Sequence, residues 1–339
     1  FGRPVAVFCW LCVITSTFLV AFSTIRLRVI GSRPSTTRRM WNIFGSANST
    51  GARAPRRVSN NSIAWWEREG RGRTLGAIVG RWTFFVVGIA AAILLLGLYT
   101  QGSITVNTLR VSLLTLLAAE TVIITLTALN LSATAVSRER EDGTLDLILT
   151  TPIQPGPYLA GKLRGVVQNL LPMILVPSIS LGLVAIYVLI GGFGAATTIT
   201  ETVGTNQVEL PIVLPEAAII LPLLLVGFTA FCVMVGLQWS IKSRGTIGSI
   251  SAAVAVVILV SAMLGFCGVA SGRGIEVVGG FLSALSPLNV VLVAVEPGDF
   301  LAGSIGSQME TAGRTSLLIG GVVATAGYIG VVFAMHASM

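Results

Sequence analysis

Seven long apolar runs leave this chain few folds to choose from. A helix needs about 18–20 apolar residues to cross the roughly 30 Å hydrocarbon core of a bilayer. Inside that core the backbone must satisfy its own hydrogen bonds, which only helices and closed barrels achieve. These runs are too long for barrel strands. The fold expected is therefore all-α, a polytopic transmembrane helical bundle, with spans at residues 4–25, 83–100, 111–136, 163–190, 216–241, 246–270 and 315–336. Charge agrees: Asp, Glu, Lys and Arg make up 11% of the chain, against about 25% in soluble domains. Pro172 and Pro177 inside the fourth run are ordinary in membrane helices.

Lys and Arg in short loops mark the cytoplasmic side. Residues 26–82 hold twelve arginines, from Arg26 to Arg81, opposed only by Glu67 and Glu69. The loop at 137–162 carries Arg138, Arg140 and Lys162, with Arg164 beside it, and the turn at 242–245 carries Lys242 and Arg244. The alternate loops are acidic: 191–215 has Glu201 and Glu209, and 271–314 has Glu276, Glu296, Asp299 and Glu310 against Arg273 and Arg314. The alternation holds at every loop and places the N-terminus outside. With Phe1 as first residue, that suggests a segment of a longer polypeptide. A signal peptide at 1–25 is the competing reading, but only Arg3 serves as a basic region and no convincing cleavage site follows.

The net charge of +8 is thus a topology signal. Residues 31–61, rich in Ser, Thr, Asn, Gly and Arg, read as a mobile linker. The linker is expected to meet anionic lipid, at about 1 kcal/mol per basic residue near the surface, rather than nucleic acid. Cys9, Cys12, Cys232 and Cys267 all lie in apolar runs, and His336 is the single histidine, so no metal or redox site is expected.

The most informative stretch runs from Ser137 to Pro152. Six of the ten residues 137–146 are charged. Gly143 breaks the run, Thr144 can cap a new helix, and Leu145, Leu147, Ile148 and Leu149 supply an apolar side. Pro152, Pro155 and Pro157 are expected to end it. This reads as a short amphipathic helix at the cytoplasmic surface, able to lock into a groove on a soluble partner. An ordinary solvated loop is the other reading.

The residues Arg140, Glu141, Gly143, Thr144, Leu145, Asp146, Leu149, Thr151 and Pro152, followed by Gly161 and Lys162, resemble the coupling-helix region of ABC transporter permeases of the type-2 (exporter) class. In that family the hairpin joins the second and third helices of a six-helix domain and docks on the nucleotide-binding subunit. The resemblance makes residues 83–339 one six-helix permease unit with its coupling hairpin at 137–160. It makes 4–25 the last helix of a preceding unit. Asn61-Ser62-Ile63-Ala64-Trp65-Trp66-Glu67 is similar to the interfacial helix preceding the first span in some such permeases, which places an interfacial helix near 61–80.

Gly156 to Leu163 nearly fits the phosphate loop G-x-x-x-x-G-K-[ST]. It fails because Leu163 has no hydroxyl and no strand precedes Gly156. No cofactor is therefore expected on this chain, and ATP and Mg are expected on a partner subunit. Glu120 and Asn130 in the third run are candidates for a translocation path, because an acid in the membrane core costs on the order of 2.5 to 3.5 kcal/mol and should face protein or water. A structural hydrogen bond would explain Glu120 equally. Phe281 to Val295 is apolar but interrupted by Pro287, which predicts a short helix dipping into the outer leaflet.

These readings converge on a multi-pass permease subunit of the cell inner (plasma) membrane, driven by a separate ABC ATPase. It is expected to sit in the lipid bilayer and to pair with a second permease unit, as a homodimer or with a sister unit. Arg138, Glu139, Glu141, Asp142, Gly143, Thr144, Leu145 and Ile148 are the expected ATPase-coupling residues. An ATP-independent secondary transporter or channel is the alternative, with Glu120 as its only strong embedded acid. An intramembrane protease lacks both a metal-ligand cluster and a Gly-x-Ser-x-Gly motif. Substrate identity has no local motif.

Overall fold

Apolar runs that cannot leave backbone groups unpaired in lipid become helices, and among the described residues six helices are long and apolar enough to cross a membrane. The computed structural model describes Trp65 and residues 75–143, 150, 155–192, 196–203, 206–243, 245–274, 276–297 and 309–338. All of them belong to the compact unit formed by residues 58–339. The expected helix at 4–25 and nearly all of the arginine-rich linker lie outside the described residues.

The elements are α1 (Leu75–Thr100), α2 (Val106–Glu141), α3 (Pro155–Ile190), a hairpin of β1 (Thr198–Val203) and β2 (Asn206–Pro211), α4 (Ala217–Lys242), α5 (Thr246–Gly274), α6 (Glu276–Ser283), α7 (Pro287–Val295) and α8 (Met309–Ala337). The bundle forms around α4, which packs against α2, α3, α5, α7 and α8. In its most apolar stretch 67% of residues are buried, against 17% in α1 and in α5. Those two helices turn Trp82, Val86, Leu94, Ile247, Leu259 and Phe266 outward, a surface that suits lipid and would be a liability in water.

The bounds of two expected spans need correction. The spans expected at 111–136 and 163–190 are parts of longer helices of 36 residues each, about 54 Å long at 1.5 Å per residue. Ser137 to Glu141 continue α2, because Arg and Glu are good helix formers and nothing breaks the helix before Gly143. Pro155 and Pro157 open α3, since the first turn needs no proline N–H; the expected surface helix itself falls on residues outside those described. The opposite end carries an element that the sequence reading did not resolve. The acidic loop 191–215 contains an antiparallel hairpin, with Thr198 paired to Pro211 and Val203 to Asn206. Its β-branched, alternating Thr-Ile-Thr-Glu-Thr-Val strand fits a half-exposed sheet. Ile212 N donates to Thr197 O (3.0 Å), extending the hairpin pairing by one step, and Tyr99 of α1 donates to Ala196 O (2.6 Å), which fastens the hairpin to the bundle.

The interrupted segment folds as the pair α6 and α7, of eight and nine residues, neither long enough to span. Pro287 stands at the start of α7. The end of α7 is pinned twice: Arg110 Nε donates to Val295 O (2.6 Å) and Leu214 N to Ala294 O (2.9 Å). These bonds satisfy carbonyls that a helix end would otherwise leave unpaired, and the arginine complements the negative end of the helix dipole. Tyr328 of α8 donates to Leu285 O (2.7 Å) at the corner between the two short helices, with its ring against Phe228 and Phe231 of α4.

α2 and α4 lie close together at Gly236, where an added Cβ would lie 1.9 Å from Ser132 Oγ and 3.1 Å from the backbone N of Ala133. Gly97 in α1 has open space instead. Gly236→Ala should therefore destabilise the detergent-solubilised chain by about 1–3 kcal/mol, the usual cost of overpacking, whereas Gly97→Ala should leave it unchanged or slightly stabilised. Thermal unfolding of both variants beside wild type checks this; equal melting for all three would contradict the packing described.

Candidate functional site

The charged end of α2 is built so that three consecutive residues each reach a different helix. α2 stops because Asp142 caps it and Gly143 takes φ +70°, with Asp142 N donating to Arg138 O (2.9 Å) and Gly143 N to Arg140 O (3.2 Å). A left-handed residue after the last turn is what glycine supplies at little cost. Arg138 and Arg140 in that turn complement the negative helix end.

Glu139 turns toward α3. Its carboxylate accepts from Lys162 Nζ and from Tyr158 Oη. The Lys162 ammonium also donates to Ala135 O (3.1 Å) and lies 5.4 Å from the centre of the Tyr158 ring. Lys162 is only 2% exposed. A charge so buried needs a counter-charge and hydrogen bonds, and this cage supplies both. Tyr158 and Lys162 stand four apart, on one face of α3.

Arg140 turns toward the end of α4. Its guanidinium donates from Nη1 to Ser243 O (2.8 Å) and from Nη2 to Ile241 O (3.0 Å). Two carbonyls at a helix C-terminus are a fitting target for the planar arginine fork. Glu141 reaches the start of α5, where its Oε1 accepts from Thr246 N (2.8 Å). A carboxylate on an opening turn acts as a cap delivered from another helix. One turn earlier, Ser240 Oγ of α4 accepts from Val136 N (3.0 Å) and Ser137 N (2.8 Å), and Ser249 Oγ of α5 donates to Ala133 O (2.8 Å). The α2–α3 hairpin and the α4–α5 turn are thus sewn into one body.

Arg138 and Asp142 remain at the tip. They approach to 3.8 Å with side chains 71% and 61% exposed, a pair worth little in water and open to other contacts. Of the residues read as coupling candidates, Glu139 and Glu141 have partners within the chain, whereas Arg138, Asp142 and Gly143 are exposed. Thr144, Leu145 and Ile148 lie outside the described residues. Lys162, Tyr158, Ser240 and Thr246 were not singled out from sequence as site residues. The available signal was a lysine at the mouth of an apolar run, four residues after a tyrosine.

Glu120 and Asn130 are not brought together. Ten residues separate them along α2, about 15 Å. Glu120 is 2% exposed, with Oε1 3.4 Å from Ser180 Oγ of α3. It lies under Gly88 of α1, where a Cβ would stand 2.7 Å from Oε1. Its Oε2 has no hydrogen-bond partner among the described residues. Asn130 is exposed on the bundle surface. No group of three or more His, Cys, Asp or Glu side chains able to hold a metal occurs among the described residues.

The family described as "ABC-2 family transporter protein" matches residues 84–336. No curated protein matches the chain.

Lys162→Met should leave the Glu139 carboxylate without its counter-charge and destabilise the chain by about 2–4 kcal/mol, near the cost of breaking a buried pair. Glu139→Gln combined with Lys162→Met should recover most of that loss. Unfolding titrations of the single and double variants measure the coupling; strictly additive losses would mean that the two side chains do not support each other.

Proposed function

Because the chain belongs to the ABC-2 transporter family, we propose that it is the membrane subunit of an ATP-driven exporter whose motor is a separate cytoplasmic ATPase. The α2–α3 hairpin is the lever. The observation that carries the reading is the threefold attachment of Glu139, Arg140 and Glu141 to α3, α4 and α5. A force applied at the tip reaches four helices at once through bonds that resist bending. Arg138, Asp142 and the αL turn at Gly143 stay exposed at that tip and, with Thr144, Leu145 and Ile148 beyond it, form the grip in this proposal.

ATP and Mg bind the partner in this reading. Closing and opening of the ATPase moves the hairpin, and the stapled end carries α2 to α5 as a rigid body, a common form of switching in packed helices. A second permease unit, from another copy or from a sister unit, completes the path. Glu120 belongs to the proposal as a gating residue at the α1–α2–α3 junction: an embedded acid with one oxygen unpaired among the described residues is at ease only when the junction shifts or a proton binds. A channel or ion-coupled carrier has less support, since Glu120 is the only buried acid among the membrane-spanning residues described.

Gly143→Pro cannot form the αL cap, and Glu141→Arg sets a cation against the positive end of α5. Both should abolish transport and transport-stimulated ATP hydrolysis while leaving the chain inserted and folded. The assay is reconstitution with the ATPase that co-purifies through the hairpin. Wild-type turnover by both variants would overturn the lever, as would labelling of a cysteine at position 142 from outside intact cells.

A further inference from the structure

At the hairpin end, α3, α4 and α8 enclose a recess of about 360 Å³. Its walls include Leu163, Val167, Val332 and Phe333, and its polar lining is Arg164 and His336, with no acidic residue. Arg164 is exposed and has no hydrogen-bond or ion-pair partner among the described residues. His336 stands in the last turn of α8 with Nδ1 buried and likewise without a partner. The mouth opens to the bundle surface, where Phe333 is 69% and Ile329 40% exposed.

We propose that this recess holds an anionic phospholipid of the cytoplasmic leaflet, with an acyl chain among the apolar walls and the phosphate at Arg164 and His336. Depth fits. Arg164 lies nine residues into α3, about 14 Å from its start, and α3 is about 24 Å longer than the hydrocarbon core. The surplus lies on the side that carries the lysines and arginines, so Arg164 sits near headgroup level. Its long aliphatic stem lets the guanidinium follow the phosphate. Basic recesses between membrane helices on the cytoplasmic side suit anionic headgroups, and arginine binds phosphate oxygens with two parallel hydrogen bonds. A net cationic lining without a carboxylate favours an anionic headgroup over a zwitterionic one. A second copy of the chain fits less well where the two-fold axis passes through the recess, because Arg164 would then face Arg164.

Native mass spectrometry of the full detergent-solubilised chain, given phosphatidylglycerol or phosphatidylcholine, tests the site. Wild type should retain phosphatidylglycerol preferentially. Arg164→Gln should weaken that retention about fivefold, equivalent to ~1 kcal/mol, without changing phosphatidylcholine retention or the melting temperature. Ala230→Phe, which fills the recess from α4, should reduce retention of both lipids, and excess inorganic phosphate should not displace the bound lipid. Undiminished phosphatidylglycerol retention in Arg164→Gln would overturn the proposal. So would equal retention of both lipids by wild type, displacement by phosphate alone, or a dimer that forms through this recess and excludes lipid.

Discussion

The Lys162 ammonium cannot be withdrawn from water unless a counter-charge comes with it, and Glu139 is that counter-charge. The pair fixes how α2 and α3 emerge at the hairpin end. Tyr158 and the Ala135 carbonyl complete the cage, so that helix register and charge placement become one constraint. Once Glu139 points at α3, the helical turn sends Arg140 and Glu141 to other sides of α2. They meet the end of α4 and the start of α5 there. Three neighbouring side chains thereby turn four membrane helices into one mechanical unit. Its strength rests on the depth of Lys162, since exposed pairs such as Arg138 with Asp142 add little.

The opposite end is held by different means. Arg110 and the backbone at Leu214 grip the end of α7, and Tyr328 holds the corner between α6 and α7. The one exposed-side ion pair described there, Arg314 with Glu216 at 2.5 Å, joins α8 to the start of α4. Fold and family agree on a permease: six spanning helices, a short broken pair on one side, and a charged hairpin on the other.

Much of this was legible in the residues. Apolar length gave the six described spans, and Pro287 gave the break between α6 and α7. The hairpin motif pointed to the family. What hydropathy missed was where helices end. It marks where lipid stops, whereas a helix stops at a residue such as Gly143, and Ser137 to Glu141 are helical but polar. The β1–β2 hairpin was hidden because the alternation in 198–203 is weak among threonines. The stapling was hidden for a deeper reason. A charge run reads as solvated unless the partners are known, and Lys162, Ser243 and Thr246 come from three separate helix ends. Glu120 was visible as an embedded acid, but its place beneath Gly88 depends on the packing of α1. No sequence pattern encodes that contact.

In the proposed function the hairpin end moves as one body when a partner ATPase cycles. Spin labels at positions 138 and 242, both exposed, report on it directly when the chain is reconstituted with the proposed partner ATPase and compared without nucleotide and with ATP trapped. The proposed lever requires an unchanged distance between these labels in the two states, alongside a changed distance from position 138 to the equivalent position in the proposed second permease unit. A 138-to-242 distance that shifts with nucleotide would mean that the staple opens during the cycle, and the lever would have to be abandoned.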